Sequence, residues 1–171
     1  SIILDSTAGT RLDPLARLEA AGVALNSGQI TLVFDEAGDV APTSGLVLAG
    51  RALESLQASA RTLSLLSYSS VDIYGTGQLG SRGGLDALTL SAAALRSYNA
   101  GEGVATFAAR SIRLENPTNR VAPAPSTGLA SGVLRFEADE ITLGAGRVAV
   151  SGQSRVDLSA SSRLLAVGSG G

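Results

Sequence analysis

The chain has 171 residues, enough for one domain with a sizeable core, and Ala, Leu, Ser and Gly make up more than half of it. Without Cys, His or Lys there is no thiolate or imidazole metal centre, no Ser-His or Cys-His nucleophile pair, no P-loop lysine and no Schiff base. Arg supplies all 13 positive charges against 15 acids, and a net charge of −2 lacks the clustered basic surface that nucleic-acid binding needs.

Ser1-Ile-Ile-Leu4 opens as a strand. Thr10 to Ala21 carries helix formers, with Leu12, Leu15 and Leu18 at helical spacing, so a helix over 13–20 competes with a strand reading. In the strand reading, Ala16-Arg-Leu18 and Val23-Ala-Leu25 flank a gap of four residues. Gln29 to Phe34 alternates as a strand. Asp35, Glu36 and Asp39 follow around a Gly turn. Gly45-Leu-Val-Leu-Ala-Gly50 is apolar and strand-sized. Arg51 to Gln57 is the best helical fragment, and a short helix or turn there is as well supported as a strand.

Leu56-Gln-Ala58 with Leu63-Ser-Leu65 is a further pair of alternating pieces, which competes with the helix at 51–57, and Ser70 to Tyr74 alternates again, with Gly turns at 75–77 and 80–84. Leu88-Thr-Leu90 with Leu95 comes next, then Ala105-Thr-Phe107 with Ile112-Arg-Leu114. Residues 116–130 hold three of the five Pro. Pro cannot donate to a ladder, so this stretch is a loop leaving the regular structure. Leu134-Arg-Phe136, Glu137 to Glu140, then Ile141-Thr-Leu143 is the clearest unit, and Arg147 to Val150, Arg155 to Leu158 and Arg163 to Val167 close the chain with strands.

One unit recurs: two alternating apolar residues, a four-residue gap, two more alternating apolar residues. Alternation at period two sends one set of side chains inward and the other outward. The gap of small or polar residues turns a corner. The third apolar position falls at 23, 63, 95, 112 and 141, and a turn of about 17 to 20 residues is expected. Short strands at this density predict an all-β fold, a parallel β-helix. Positions 63, 95, 112 and 141 are expected to face one core.

Leu63-Ser-Leu-Leu-Ser-Tyr-Ser-Ser-Val-Asp-Ile-Tyr-Gly-Thr-Gly77, followed by Leu85-Asp-Ala-Leu-Thr-Leu90, resembles filamentous-haemagglutinin-family exoproteins, bacterial proteins exported by two-partner secretion. The resemblance runs from about residue 18 to the end. It implies a right-handed parallel β-helix, or β-solenoid, forming part of a long extracellular shaft that serves in adhesion, biofilm or toxin delivery. Asn116-Pro-Thr-Asn119 departs from that family's secretion-domain motif and lies in the Pro-rich loop. Residues 1–171 therefore read as a single β-helix segment outside the secretion domain, with 116–130 inserted. The chain shows no signal peptide and no run approaching the roughly 20 apolar residues of a membrane span. Its ends read as those of a piece of a longer chain. The implied location is the bacterial surface or the secreted pool.

The alternative on the same fold is a polysaccharide lyase or hydrolase, which needs clustered carboxylates. Asp35, Glu36 and Asp39 read as a turn. Glu137, Asp139 and Glu140 occupy a corner, and Glu102 lies between two Gly. Arg113 with Glu115 and Arg135 with Glu137 read as solvated outward rows that pair across neighbouring turns. Phe107 and Phe136, at one repeat position, read as stacked core. Tyr68, Tyr74 and Tyr98 are the candidate surface contacts, for glycans or proteins of a host or bacterial surface. No catalytic residue, metal ligand or cofactor is expected, and the other partners are neighbouring turns of the parent chain. The function expected is structural or adhesive, without catalysis.

Overall fold

The computed structural model describes residues 1–6, 9–12, 15–34, 44–98, 101–127 and 130–167. Its elements in chain order are β1 (Ile2–Ser6), β2 (Thr10–Arg11), β3 (Gly22–Ser27), β4 (Ile30–Val33), β5 (Leu46–Ala49), α1 (Gly50–Ser59), β6 (Thr62–Ser67), β7 (Ser70–Tyr74), β8 (Gly77–Leu79), β9 (Ala87–Ser91), β10 (Ala94–Tyr98), β11 (Val104–Ala108), β12 (Ser111–Glu115), β13 (Val133–Leu143), β14 (Ala149–Ser151) and β15 (Arg155–Ala166). The strand pairs are parallel throughout. They stack as a β-solenoid of about six turns.

Three faces run up the stack. The first follows the order β1-β3-β6-β9-β12-β13, extended by the second half of β15. The second follows β2-β5-β4-β7-β10-β14. The third holds β8, β11 and the first halves of β13 and β15. The corner expected at 137–140 is a register shift between Ala138 and Glu140 inside β13, so one strand spans two faces.

The expected inward alternation is present, and Leu63, Leu95, Ile112 and Ile141 face one core as expected, but Leu95 does so from a different face. Val23, Leu63, Leu88, Ile112, Ile141 and Leu164 form one ladder, whereas Leu95 pairs with Val71 on the second face. Leu88-Thr-Leu90 is the second half of its unit, and the first half is Gly77-Gln-Leu79. Gly77 hides that half from an apolar pattern because its position leaves no room for a side chain: a Cβ there would lie 2.9 Å from the Phe34 Cβ. With this correction the ladder positions are separated by 25 and 24 residues in the middle of the stack, so a turn is longer than 17 to 20.

The longer separations have separate causes. Between Val23 and Leu63 the chain adds β5 beneath β4 and then α1. The helical alternative at 51–57 is therefore the one adopted. Of the competing helix over 13–20, residues 13–14 lie outside the described residues and 16–20 are irregular. The helix takes the third-face position of its turn. Ser55 Oγ accepts from the Leu18 N–H at 2.9 Å below it, and Gln57 Oε1 accepts from the Gly80 N–H at 3.2 Å above it.

Between Ile112 and Ile141 the described part of the Pro-rich excursion carries no strand. Pro117, Pro123 and Pro125 remove the donors a second-face strand would need. The chain leaves the stack, and β14 of the following turn descends to pair directly with β10. Near the base of this excursion, Gly146 has φ +83°, and a Cβ there would lie 1.8 Å from the Asn116 carbonyl oxygen. Gly146→Ala is expected to destabilise by about 1–3 kcal/mol, read as a lowered denaturation midpoint. An unchanged midpoint would show that this turn relaxes freely.

The core is aliphatic and ordered by rung. Leu4, Leu25, Leu65, Leu90, Leu114 and Leu143 form a second continuous ladder on the first face. Full burial of one such side chain contributes about 1.5–3 kcal/mol. Phe107 and Phe136 are register partners with ring centroids 5.4 Å apart, and Phe34 meets Phe107 edge-on at 6.1 Å.

Candidate functional site

Alternation on β7 and β10 turns Val71, Ile73 and Leu95 inward and Asp72, Tyr74, Arg96 and Tyr98 outward. Register then sets Asp72 beside Arg96 and Tyr74 beside Tyr98. The ion pair is bidentate: Arg96 Nε donates to Asp72 Oδ1 at 2.8 Å, and Nη2 donates to Oδ2 at 2.7 Å. Gln29 Nε2 adds a third donor to Oδ2 at 2.7 Å. The Asp72 side chain is only 2% exposed and that of Arg96 15%. Three donors and near-complete burial engage this carboxylate, which leaves it poorly placed for acid–base work.

The tyrosines lie on and beside the same face. The Tyr74 and Tyr98 rings stack at 4.6 Å with 8° between planes, and the Arg96 guanidinium lies 5.9 Å from the Tyr98 centroid. Each ring turns a face to the other, and both residues are partly buried. Burial pushes both phenols above their ordinary ionisation range. Tyr98 and Asp72 add to this at Tyr74, and Asp72 adds at Tyr98. The hydrogen bonds that Arg96 donates to Asp72 raise the guanidinium above its ordinary value. Tyr68 stands apart, at the corner between the first and second faces. It is 47% exposed, and Arg120 lies 4.6 Å over its ring.

The Pro-rich excursion crosses this face. Asn116 anchors its start: Nδ2 donates to the carbonyls of Arg120 and Arg147 at 2.9 Å each, and Oδ1 accepts from the Arg120 N–H at 3.0 Å. Arg96 Nη1 donates to the Ala124 carbonyl at 3.1 Å, and Ser151 Oγ accepts from the Ser126 N–H at 3.2 Å. The excursion is thus a strap held against the second face from the Asp72 pair to β14.

The acidic clusters resolve differently. Asp35, Glu36 and Asp39 lie outside the described residues. Glu137, Asp139 and Glu140 each meet a different arginine: Arg135 at 4.0 Å, Arg82 at 3.7 Å and Arg163 at 2.6 Å. Asp86 stands between Arg61 at 3.6 Å and Arg110 at 3.7 Å. Glu102 is exposed in a bend. Of the outward rows expected to pair across turns, Arg135 does so with Asp157, whereas Arg113–Glu115 and Arg135–Glu137 pair within one strand; Glu140, read as a corner acid, pairs across turns with its register partner Arg163. Among the described residues no three acids gather as a cation site, and no helix is long and apolar enough to cross a membrane.

The Asp72–Arg96 pair escaped the sequence reading. Its signal is a separation of 24 residues between two outward positions, which has meaning only once the turn length is known. No family model, curated protein or solved structure matches the chain.

Proposed function

We propose that this chain is a non-catalytic segment of a filamentous-haemagglutinin-type exoprotein, carried on the bacterial surface or secreted, whose solenoid serves as shaft and adhesive surface. The observation that carries this reading is the disposition of the outward carboxylates. Asp72, Asp86, Glu137, Asp139, Glu140 and Asp157 are each taken up by arginine, four of them by one on a neighbouring turn. Exposed pairs of this kind contribute little singly, about 0.2–1 kcal/mol, but they favour one stacking register over others. A glycosidase needs two carboxyl groups left free to face a sugar; these six are engaged by arginine, four of them between turns.

The test is incubation of the purified chain with a panel of neutral and acidic polysaccharides, followed by polymer length and reducing ends. Unchanged polymers are expected. Bond cleavage at enzymatic rates would replace this reading with a carbohydrate-active enzyme.

The shaft reading also concerns the apolar surface around β14 and β15. There a cavity of about 280 Å³ is lined by Leu95, Leu114, Phe136, Val150 and Leu158 among others. Val150, Val156, Leu158, Leu164 and Val167 are all exposed nearby. Such a surface is expected to associate as concentration rises. Light scattering should show growing mass with concentration, and a strictly monomeric species would count against the shaft reading.

A further inference from the structure

Nine of the 13 arginines carry an ion pair. Arg51, Arg120 and Arg147 have no carboxylate partner among the described residues. Arg51 is on α1, whereas the other two meet at one corner, because Asn116 Nδ2 binds the backbone carbonyls of both. The buried Asn116, 1% exposed, therefore ties together the backbones of two arginines that have no carboxylate partner among the described residues. Asn119, with φ +49°, closes the loop between them through its N–H to the Asn116 carbonyl at 2.9 Å. The Arg120 guanidinium carbon lies 4.6 Å from the Tyr68 ring centroid, and its Nη1 is buried without a hydrogen-bond partner among the described residues. Arg147 is exposed. The nearest acid along the chain, Glu115, is engaged by Arg113 Nε at 2.7 Å.

We propose that this corner, built from Tyr68, Asn116, Arg120 and Arg147, binds the carboxylate of a uronate unit in an acidic polysaccharide. Guanidinium matches a carboxylate with paired N–H donors and is weakly hydrated, so it gives up its water readily. Tyr68, half exposed with Arg120 over one face of its ring, offers its remaining apolar surface to the C–H groups of the sugar. A net charge of −2, with only two arginines tied together at this corner, favours one local acidic group over a long polyanion track. The proposal rests on the adhesive reading and gives it a ligand class.

The experiment measures binding of the full chain to polygalacturonate, dextran sulfate and neutral dextran at low salt, with polymer length followed in parallel. Binding to polygalacturonate and not to dextran is expected. Arg147→Gln, a surface change, should weaken it about tenfold, the loss of one charge-assisted contact. Arg120→Gln with Arg147→Gln should weaken it further, while Arg51→Gln should leave it within about twofold. Circular dichroism of each variant separates lost binding from lost folding. Binding to none of the polymers, preference for dextran sulfate, or equal binding by Arg147→Gln would each overturn the site. Shortening of a polymer would instead overturn the non-catalytic reading.

Discussion

Arg96→Met is expected to destabilise the chain by about 3–5 kcal/mol, because it leaves the buried Asp72 carboxylate with Gln29 as its remaining side-chain donor. The pair has two N–H···O bonds of 2.8 and 2.7 Å and is screened by little water. Removing one partner forces Asp72 to be either charged and poorly solvated or protonated. Replacing both, as Asp72→Leu with Arg96→Met, removes the uncompensated charge and should recover most of the loss. Denaturant titration of the three proteins checks this. Near-equal destabilisation of the single and double variants would mean that the pair's contribution lies in packing and not in charge.

Phe136→Ala is expected to cost about 3–5 kcal/mol as well, through a different mechanism. Phe136 is 1% exposed, stacks on Phe107 and lines the apolar end of the stack. Truncation removes contacts on the rungs above and below and leaves a cavity that a stack of fixed spacing cannot close. Glu137, its neighbour, points outward, with a 4.0 Å contact to Arg135. Glu137→Ala should change stability by only about 0.5 kcal/mol. Equal losses for the two variants would show that inward and outward are reversed on β13.

The architecture was legible because alternation carries orientation. Ile112-Arg-Leu114 and Ile141-Thr-Leu143 announce which side chains are inside, and Pro117, Pro123 and Pro125 announce where the ladder must break. The turn length was not legible. Gly77 is apolar-blank because Phe34 fills the space its side chain would need, and that exclusion is a contact between turns. Nor does any local pattern say that β14 skips a turn to reach β10, since that follows from where the strap goes.

The site shows the same division. Tyr68, Tyr74 and Tyr98 stood out as rare aromatics, and the structure places them on or beside one face. Their partners did not stand out. Asp72 and Arg96 look like ordinary solvated charges until a register of 24 residues brings them together under the strap. Arg120 and Arg147 become neighbours only through Asn116, whose side chain spans 31 residues of sequence.

The register of the stack underlies each of these assignments, and paired cysteines test it in a chain that has none of its own. Ser64 and Thr89 are outward register partners on β6 and β9, whereas Ser64 and Arg113 are two strands apart. Adjacent strands lie about 4.8 Å apart, within the Cα separation of roughly 4.4–6.8 Å that a disulfide spans, and two strands exceed it. Ser64→Cys with Thr89→Cys should close to an intramolecular disulfide under mild oxidation, and Ser64→Cys with Arg113→Cys should remain reduced. Closure of the second pair with failure of the first would contradict the solenoid register described here.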